Sequence, residues 1–400
     1  MKDDKKVPQL RFPEFTDAWK QRKFSEVFEE YSEKKHPELP ALTIIQGKGT
    51  ILRDASDRNL LYDKANLASY KLVRKDDFIV HLRTFEGGLE KANSDGIVSP
   101  AYHIFHGKNT DTRFFYPFFR SKYFIDALLK PHVYGIRDGK SIDIEGMKTI
   151  SFLVPSFEEQ NKIGKFVETL DNTITLQQRK LNSLQKLKKG LLQKMFPKKG
   201  ENIPEIRFPE FSDAWKQREL KEVVNFSRGQ GLPWADVDDL NGQFECILYG
   251  NLYTDYGTII QNIKHKTNTD LKVKSKGNEV LIPGSDTTPT GLARALFLEK
   301  ENVILGGDIN ILSVKHDDGP FLAYELNKLK KELIIRIKGT TVKHLQNNDL
   351  KDIVVSLPSL EEQRKISSLF SRLDNTITLQ QRKLESLQKL KKGLLQQMFI

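Results

Sequence analysis

Side chains that could bind a polyanion occur in both halves of the chain, and aromatic residues lie among them. Arginine, lysine and aromatic residues interleave over residues 53–70 and 71–83 in the first half, and over residues 228–234 and 249–256 in the second. Arginine and lysine contact phosphates, and polar side chains at loop tips hydrogen-bond to base edges. The pattern predicts nucleic-acid binding, although an ordinary solvated loop remains the alternative for any single residue.

Two loops are the strongest candidates because they occupy the same position in two aligned halves and differ in chemistry. At an offset of 203, residues 83–86 (Arg-Thr-Phe-Glu) lie over residues 286–289 (Asp-Thr-Thr-Pro). A shared scaffold with altered loop tips is what two different target sequences require. The DNA-binding residues predicted in the first half are Gln46, Lys48, Arg53, Arg58, Lys71, Arg83, Thr84, Glu86 and Lys91. Those predicted in the second half are Arg228, Gln230, Tyr249, Asn251, Tyr253, Lys274, Asp286, Thr287, Thr288 and Arg294.

No catalytic or metal-binding spacing emerges from the same residues. Residues 135–141 resemble a phosphate-binding loop but have three residues between the glycines instead of four, and the segment from Ser141 has a strand pattern. Gly47 and Gly49 are too close for a dinucleotide fingerprint and predict a turn. The eight histidines show no metal-ligand spacing, and no Asn/Asp-Pro-Pro-aromatic tetrad of an amino-methyltransferase occurs. The sequence therefore predicts no catalytic site and no metal site.

Two other conspicuous features are better explained by packing. Cys246 lies in an apolar, strand-like run, so a buried thiol is favoured over a nucleophile. As the single cysteine, it excludes an internal disulfide and a cysteine-rich zinc site. The aromatic run at residues 114–119 predicts core and not a base-stacking platform; it and its counterpart at residues 321–326 are expected to precede amphipathic helices.

Composition bounds the remaining classes. The chain has 400 residues, 38% of them apolar, and a net charge of +11. This length suggests two to four domains. No run approaches the ~20 apolar residues of a membrane span, and the charged N-terminus lacks an apolar signal region, which predicts a cytoplasmic protein. Residues 171–200 and 374–400 carry ten of the eleven net charges. Their basic faces, including Lys186, Lys188 and Lys189, are expected to meet either DNA phosphates or partner subunits.

The chain consists of two copies of one plan. Residues 8–27 return at residues 204–223, and residues 171–196 return at residues 374–399 with two differences. The segments that precede the second repeat, residues 153–160 and 356–363, also match. Short β-branched or aromatic runs bounded by Gly, Asn and Asp predict strands between the repeats, so the bodies are expected to be mixed α/β.

The near-identical segment has the 4,3 spacing of a coiled-coil seam. Near-identity favours packing of the two helices on each other, and packing of each helix on its own body is the alternative. Gln177 and Lys188, with their equivalents Gln380 and Lys391, are polar seam positions expected to cost stability and to set the register. The other predicted seam residues are Leu170, Ile174, Leu181, Leu184, Leu191 and Met195 in the first copy, and Leu373, Ile377, Leu384, Leu387, Leu394 and Met398 in the second.

The tandem plan, the segments at residues 153–160 and 356–363, and the two RFPEF-x-DAWKQR tags resemble the specificity subunit of type I restriction–modification systems. The resemblance implies two target-recognition domains, each recognising one half of a bipartite DNA site. It also implies an antiparallel coiled coil that sets the spacer and docks two modification subunits. Base-contacting residues vary within this family, so none can be transferred.

The resemblance further implies that this chain is no enzyme and binds no cofactor. S-adenosylmethionine for adenine methylation is expected on the modification subunits, and ATP and Mg²⁺ on two restriction subunits that translocate and cleave double-stranded DNA. A non-enzymatic adaptor, whose coiled coil holds two protein-binding bodies, is the alternative; a stand-alone enzyme is disfavoured.

The repeats predict the domain boundaries. Recognition domains are expected at residues 1–152 and 204–355, coiled-coil helices at 153–196 and 356–400, and a linker at 197–203. The first seam spans about 26 residues, or about 39 Å at ~1.5 Å per residue. One turn of B-DNA is ~34–36 Å. The centres of the half-sites are therefore expected to lie about one turn apart.

Overall fold

A computed structural model describes residues 7–55, 64–81, 83–135 and 140–399. The chain divides into two compact units: unit 1 comprises residues 1–178 and 383–400, and unit 2 comprises residues 179–382. Each unit thus combines a body with the beginning of one long helix and the end of the other. The domain boundaries predicted from the repeat divide the chain into consecutive segments, whereas these units are defined by packing and unit 1 is discontinuous in sequence. Those boundaries therefore stay predictions.

The body of unit 1 is mixed α/β, as predicted. Its main sheet has the antiparallel order β2-β9-β6-β7, and β3–β4, β5–β8, β1–β12 and β10–β11 form two-stranded pairs. The strands are β1 Lys20–Lys23, β2 Phe28–Tyr31, β3 Leu42–Ile45, β4 Gly49–Leu52, β5 Lys71–Val73, β6 Phe78–Val80, β7 Glu90–Lys91, β8 Gly96–Val98, β9 His103–Gly107, β10 Val133–Tyr134, β11 Ser141–Ile142 and β12 Ser151–Val154. The helices are α1 Phe24–Val27, α2 Thr84–Gly87, α3 Thr112–Phe119, α4 Ile144–Lys148 and α5 Phe157–Lys194, with a π-helical turn at Phe124–Leu129.

The body of unit 2 has a five-stranded sheet, β14-β23-β19-β21-β16, and a four-stranded sheet, β17-β15-β22-β18. The strands are β13 Lys216–Glu219, β14 Val224–Arg228, β15 Phe244–Ile247, β16 Ile259–Ile260, β17 His265–Thr267, β18 Lys274–Lys276, β19 Glu279–Pro283, β20 Ser285–Asp286, β21 Leu296–Leu298, β22 Glu301–Leu305, β23 Ile309–Val314, β24 Lys343–His344 and β25 Val354–Leu357. The helices are α6 Leu220–Val223, α7 Asn251–Thr254, α8 Pro289–Leu292, α9 Gly319–Lys328, α10 Lys330–Ile335, α11 Asn347–Leu350 and α12 Leu360–Met398.

The opening tag of each repeat fastens the body to the start of a long helix. The Arg11 guanidinium donates two hydrogen bonds of 2.7 Å to the buried Glu159 carboxylate in unit 1. Arg207 and Glu362 repeat the contact in unit 2 with the same two distances. A bidentate pair fixes orientation as well as charge. The tag therefore positions the helix start.

The first long helix begins later than the predicted region. Residues 151–154 form β12, which pairs with β1, so α5 begins at Phe157. Gln160 then accepts a hydrogen bond from the backbone N–H of Asp111 at 3.0 Å, and Gln363 accepts one from Asp318 at 2.9 Å. The two repeats therefore join helix to body through equivalent side chains.

Aromatic side chains fill both cores. The prediction that residues 114–119 belong to the core is confirmed, because Phe114, Phe115, Phe118 and Phe119 are buried. Helical segments follow this run and residues 321–326, at Phe124–Leu129 and in α10, as expected. The two runs are themselves helical as well, in α3 and α9. Apolar contacts on one face of each helix outweigh the strand preference of aromatic residues and the presence of Pro117.

Each unit contains an antiparallel pair of helix segments. In unit 1, Lys391 of α12 pairs with Asp171 of α5, and Met398 packs in the same core as Val167. In unit 2, Lys188 of α5 pairs with Asp374 of α12, and Met195 packs in the same core as Phe370. The predicted packing of the helices on each other is confirmed within each unit.

Every predicted seam position is buried or half-buried. Lys188 and Lys391 are half-buried and ion-paired, so Lys188 does not belong to the outer basic face expected for it; Lys186 and Lys189 are exposed. The two seam lysines favour one register because each meets a carboxylate of the opposing helix.

Three smaller predictions have clear outcomes. Cys246 is fully buried in β15, which confirms the predicted buried thiol, and burial raises the pKa of that thiol to about 11. Gly47 and Gly49 adopt φ angles of +81° and +75° in the turn between β3 and β4, as expected. The strand expected from Ser141 is only two residues long and α4 follows it.

Among the described residues, no helix is long and apolar enough to cross a bilayer. Nor do any three His, Cys, Asp or Glu side chains in the described ranges form a group that could hold a metal ion.

Candidate nucleic-acid interface

A hairpin turn and a short helix form the candidate surface of unit 1. Gln46 and Lys48 are exposed in the β3–β4 turn. A Cβ atom at Gly87, in α2, would lie 1.7 Å from Nε2 of Gln46, so the turn packs directly against α2. The structure thereby brings Gln46 close to the loop that carries Arg83 and Glu86, both of which are exposed.

A buried carboxylate, which sequence reasoning missed, holds this turn. Oε1 of Glu90 accepts a hydrogen bond from the backbone N–H of Gly47 at 2.7 Å, and Oε2 accepts one from Gly49 at 3.1 Å. Tyr116 donates its hydroxyl at 2.8 Å, and Arg120 forms an ion pair with the same carboxylate. Burial, together with the charge of Glu90, raises the pKa of Tyr116. Glu90 thus joins the turn to α3, and no local sequence signal marks this role.

Thr84 differs from its exposed neighbours. It is fully buried, and its hydroxyl accepts a hydrogen bond from the backbone N–H of His81 at 2.7 Å. Nδ1 of His81 accepts from the N–H of Arg83 at 3.3 Å, and burial lowers the pKa of His81 to about 4. Thr84 therefore shapes the loop and has no exposed surface for a base contact, which corrects its predicted role.

Other predicted cations of unit 1 are engaged within the body. Lys71 is half-buried and donates to the carbonyl of Tyr102 at 2.7 Å. Nζ of Lys91 lies 2.5 Å from Oδ1 of Asp76, and Arg53 donates to the hydroxyl of Tyr70 at 3.2 Å. Arg58 lies outside the described residues. DNA contacts by the other residues of the predicted set stay predictions.

In unit 2, four of the predicted residues come together. They line an open depression of about 610 Å³ beside α8, together with Asn327 and Lys330. The four are Tyr253, Asp286, Thr288 and Arg294.

The loop at the edge of this depression has a defined local geometry. Asp286 accepts hydrogen bonds from the N–H of Thr287 at 2.6 Å and from the hydroxyl of Thr288 at 2.9 Å. The Thr288 hydroxyl in turn accepts from the N–H of Gly291 at 3.3 Å and caps α8. Thr287 remains exposed at the turn.

Two residues predicted to bind DNA instead hold the adjoining segment. Arg294 donates to the carbonyls of Tyr253 at 2.9 Å and of Tyr256 at 3.0 Å, and burial lowers its pKa. Asn251 is 4% exposed, and its side-chain oxygen accepts a hydrogen bond from the N–H of Leu248 at 2.9 Å. Its side chain therefore shapes the turn, and the predicted contact of Asn251 with a base is wrong. Tyr249, by contrast, is exposed.

Besides Tyr249, Asn251 and Thr287, three more predicted residues of unit 2 are not among those that line the depression. Arg228 is exposed and pairs with Asp308. Gln230 accepts from the backbone N–H of Lys272 at 3.1 Å, and Lys274 pairs with Asp270 at 2.6 Å. They do not join the surface at α8.

These features define a class of protein: two equivalent mixed α/β scaffolds on antiparallel helix segments, with chemically different loops at corresponding positions. Residues 16–186 and 212–389 each match the family described as type I restriction modification DNA specificity domain. The chain therefore belongs to that family.

Two relatives come from Methanocaldococcus jannaschii. The type I restriction enzyme MjaVIII specificity subunit is 24% identical over 64% of this chain, and the putative type I restriction enzyme MjaX specificity subunit is 28% identical over 64%. The matches span 62% and 60% of those relatives' own lengths.

The fold is similar to that of solved specificity subunits. The type I restriction–modification S subunit from M. genitalium has a TM-score of 0.63 at 15% identity, with 98% of this chain and 99% of that chain covered. A structure from work on assembly and conformational transition of the type I R-M system has a TM-score of 0.50 at 18% identity, with 94% and 96% covered.

Proposed function

We propose that this chain is the DNA sequence-specificity subunit of a type I restriction–modification complex. The observation that carries the proposal is the repeated scaffold with unlike loops: the tag, the helix start and the helix end make the same contacts in both units, while residues 83–86 and 286–289 differ. Each unit recognises one half of a bipartite site. Exposed groups such as Arg83 in unit 1 and Thr287 in unit 2 contact the DNA.

The helices dock the modification subunits, one at each unit. Each unit exposes an equivalent pair of leucines on the outer sides of its helix segments: Leu176 (61%) and Leu390 (51%) in unit 1, and Leu379 (65%) and Leu187 (50%) in unit 2. An exposed apolar pair that recurs in both repeats fits a protein partner that binds twice.

The same proposal places the chemistry on the partners. S-adenosylmethionine belongs to two adenine-methylating modification subunits, and ATP and Mg²⁺ belong to two restriction subunits. This chain contributes recognition and spacing in the cytoplasm, where the host DNA lies, and carries out no reaction itself.

The deciding experiment maps methylated adenines in cells that express the modification subunit with and without this chain. We expect a bipartite motif with half-site centres about one helical turn apart, present only with the chain. Exchange of residues 41–150 for the corresponding body of another family member is expected to change one half-site. A continuous motif, or a change of both half-sites, would contradict the proposal.

Docking has its own measurement. The double variants L176E/L390E and L379E/L187E are each expected to reduce the bound modification subunits from two to one, as counted by native mass spectrometry of the purified complex. L240E is the matched control, because Leu240 is 91% exposed on the body of unit 2. Two subunits retained in both double variants would contradict docking at these leucines.

A further inference from the structure

The segment between α10 and α11 of unit 2 folds as a hairpin. The backbone N–H of Lys338 donates to the carbonyl of His344 at 3.0 Å, and the N–H of His344 donates to the carbonyl of Lys338 at 2.7 Å. Gly339 opens the turn with φ +98°, a conformation that other residues rarely adopt. Thr340, Thr341 and Val342 form an exposed tip. We call residues 338–344 the tip hairpin.

The tip hairpin lies beside the loop already described. Its strand β24 pairs with β20, so that Ser285 faces His344 and Asp286 faces Lys343. Thr287 and Thr288 follow directly after β20. The exposed threonines of the tip and the threonines of the α8 loop therefore extend from two paired strands, although they are more than 50 residues apart in sequence.

Buried groups hold the hairpin in place. Asn310, in the core strand β23, is 1% exposed and donates its side-chain amide to the carbonyl of Leu345 at 2.7 Å. Leu345 is fully buried and donates its N–H to the carbonyl of Gly284 at 3.0 Å. Nζ of Lys343 donates to the carbonyl of Gly339 at 2.8 Å across the turn. The tip is thus presented by a fixed base, which reduces the entropy lost on binding a ligand.

The tip has the chemistry of a base-contacting element. A two-stranded ribbon fits the major groove of B-DNA, threonine hydroxyls donate to and accept from base edges, and a methyl group packs against the thymine methyl. Val342 is 46% exposed at the tip, and Lys343 follows it with positive charge suited to a phosphate. Lys338, at the other end of the hairpin, is ion-paired with Asp349. Val342 directly follows the two threonines, and its exposed methyl groups gain no stabilisation from contact with water.

We propose that the tip hairpin is a specificity-determining element of unit 2, in which the hydroxyls of Thr340 and Thr341 contact bases in the major groove. This inference rests on the proposed function of the chain as a DNA-specificity subunit. The tip hairpin would act beside the α8 loop as a second recognition element, and none of its residues is among the DNA-binding residues predicted from the sequence.

Unit 1 supports the placement independently. At the offset of 203, Lys343 and His344 correspond to Lys140 and Ser141. Ser141 belongs to the two-stranded pair β10–β11, and Nζ of Lys140 lies 5.7 Å from the ring centroid of Phe85 in α2. A hairpin strand therefore adjoins the corresponding loop in both units.

The test compares methylation motifs made by the complete complex with wild-type chain and with T340V/T341V, which removes both hydroxyls and keeps the β-branched shape. We expect a roughly tenfold loss of base discrimination at one or more positions of one half-site, and no change in the other. T340S/T341S keeps both hydroxyls and is expected to keep the wild-type motif. T269V, in a loop outside the hairpin, is the matched control for loss of a threonine hydroxyl.

The outcomes separate this inference from the proposed function. A bipartite wild-type motif that T340V/T341V leaves unchanged would overturn the role of the hairpin and leave the proposed function intact. A wild-type complex without any sequence-specific motif would overturn both. If T340S/T341S lost discrimination as T340V/T341V does, or if the altered half-site were the one that R83A also alters, the assignment of base contacts to these hydroxyls in unit 2 would be wrong.

Discussion

The two units hold their candidate surfaces with opposite charges. In unit 1 the Glu90 carboxylate accepts hydrogen bonds from backbone N–H groups of the β3–β4 turn; in unit 2 the Arg294 guanidinium donates to backbone carbonyls at residues 253 and 256. At the offset of 203, Glu90 corresponds to Ala293 and Lys91 to Arg294. The anchor of unit 1 is therefore an acceptor at one scaffold position, and the anchor of unit 2 is a donor at the next position. Each loop and its buried anchor form a set, so loop residues moved alone between units would lose their support.

The regions that attach body to helix show the reverse behaviour. The pairs Arg11–Glu159 and Arg207–Glu362 have the same geometry. Phe399 packs on Phe114 at 5.1 Å in unit 1, as its equivalent Phe196 packs on Phe321 at 5.3 Å in unit 2. The contacts that attach body to helix are thus the same in both units, whereas the buried groups that support the loops differ. This difference is expected of a protein that presents two different surfaces on one framework.

Breaking the anchors should give the largest effects. Glu90→Ala leaves two backbone N–H groups, the Tyr116 hydroxyl and the Arg120 guanidinium without their acceptor, and we expect a loss of about 4 kcal/mol in the stability of unit 1. Arg294→Ala removes two charge-assisted bonds from a partly exposed site and should cost about 2 kcal/mol in unit 2. Peptide-resolved hydrogen exchange of the chain measures each loss.

Methylation mapping of the same variants should show one half-site relaxed by each substitution, and a different half-site in each case. Glu145→Ala, at an exposed position of α4, is the control. Equal destabilisation of both units by either variant would refute independent anchoring.

The attachments should instead respond alike. Glu159→Ala and Glu362→Ala each strand a buried guanidinium, so we expect about 3 kcal/mol lost from unit 1 and from unit 2 respectively. The neighbouring exposed residues supply controls, Glu158→Ala and Glu361→Ala, with changes below about 0.5 kcal/mol. If the stability losses of Glu159→Ala and Glu362→Ala differed by more than about 1 kcal/mol, the two ion pairs would contribute unequally to stability despite their equal geometry.

Titration should distinguish the units, because His81 in unit 1 corresponds to Gly284 in unit 2. Burial lowers the pKa of His81 to about 4, below the value of about 6.5 expected when unfolded. Between these values the unfolded state binds more protons, so the stability of unit 1 falls as pH drops from about 6.5 towards 4. Between pH 7 and pH 5 we expect unit 1 of the wild-type chain to lose about 2 kcal/mol of stability that a His81→Asn variant does not lose.

Hydrogen exchange at pH 5 and pH 7 checks this difference between His81→Asn and wild type. His316→Asn, at an exposed position of unit 2, serves as the control. An unchanged pH dependence of unit 1 in His81→Asn would mean that other groups account for it.

The features that could be predicted from the sequence are those that occur in both repeats and those marked by a regular hydrophobic pattern. The seam from Leu170 to Met195 and the buried state of Cys246 and of the aromatic run were all predicted, because burial follows from hydrophobic pattern. Glu90 was missed because its partners lie 41 and 43 residues away. Asn251 and Thr84 were misjudged, since short polar side chains bind nearby backbone as readily as a ligand. Which loop residues face outwards depends on such long-range packing, and the sequence alone does not contain a signal for it.

The smallest expected effect concerns the junction of body and helix, where the units differ at one residue. Tyr324 in α9 is buried and donates its hydroxyl to Asp374 of α12 at 2.8 Å; burial and that carboxylate raise its pKa. The corresponding position of α3 in unit 1 is Pro117, which with Asp171 lines a cavity of about 920 Å³. Tyr324→Phe deletes one hydrogen bond while Lys188 still pairs with Asp374, so we expect about 1 kcal/mol lost from unit 2.

Exchange of α12 amides within residues 360–382 should report that loss, with Tyr134→Phe, at a residue 58% exposed, as the control. The loss should vanish when Asp374→Ala has already removed the acceptor, because the two substitutions then act on one contact. If Tyr324→Phe cost as much as Glu362→Ala, the junction would contribute as much as the tag to the attachment in unit 2. The uniform attachment inferred from the two tags would then hold for geometry only.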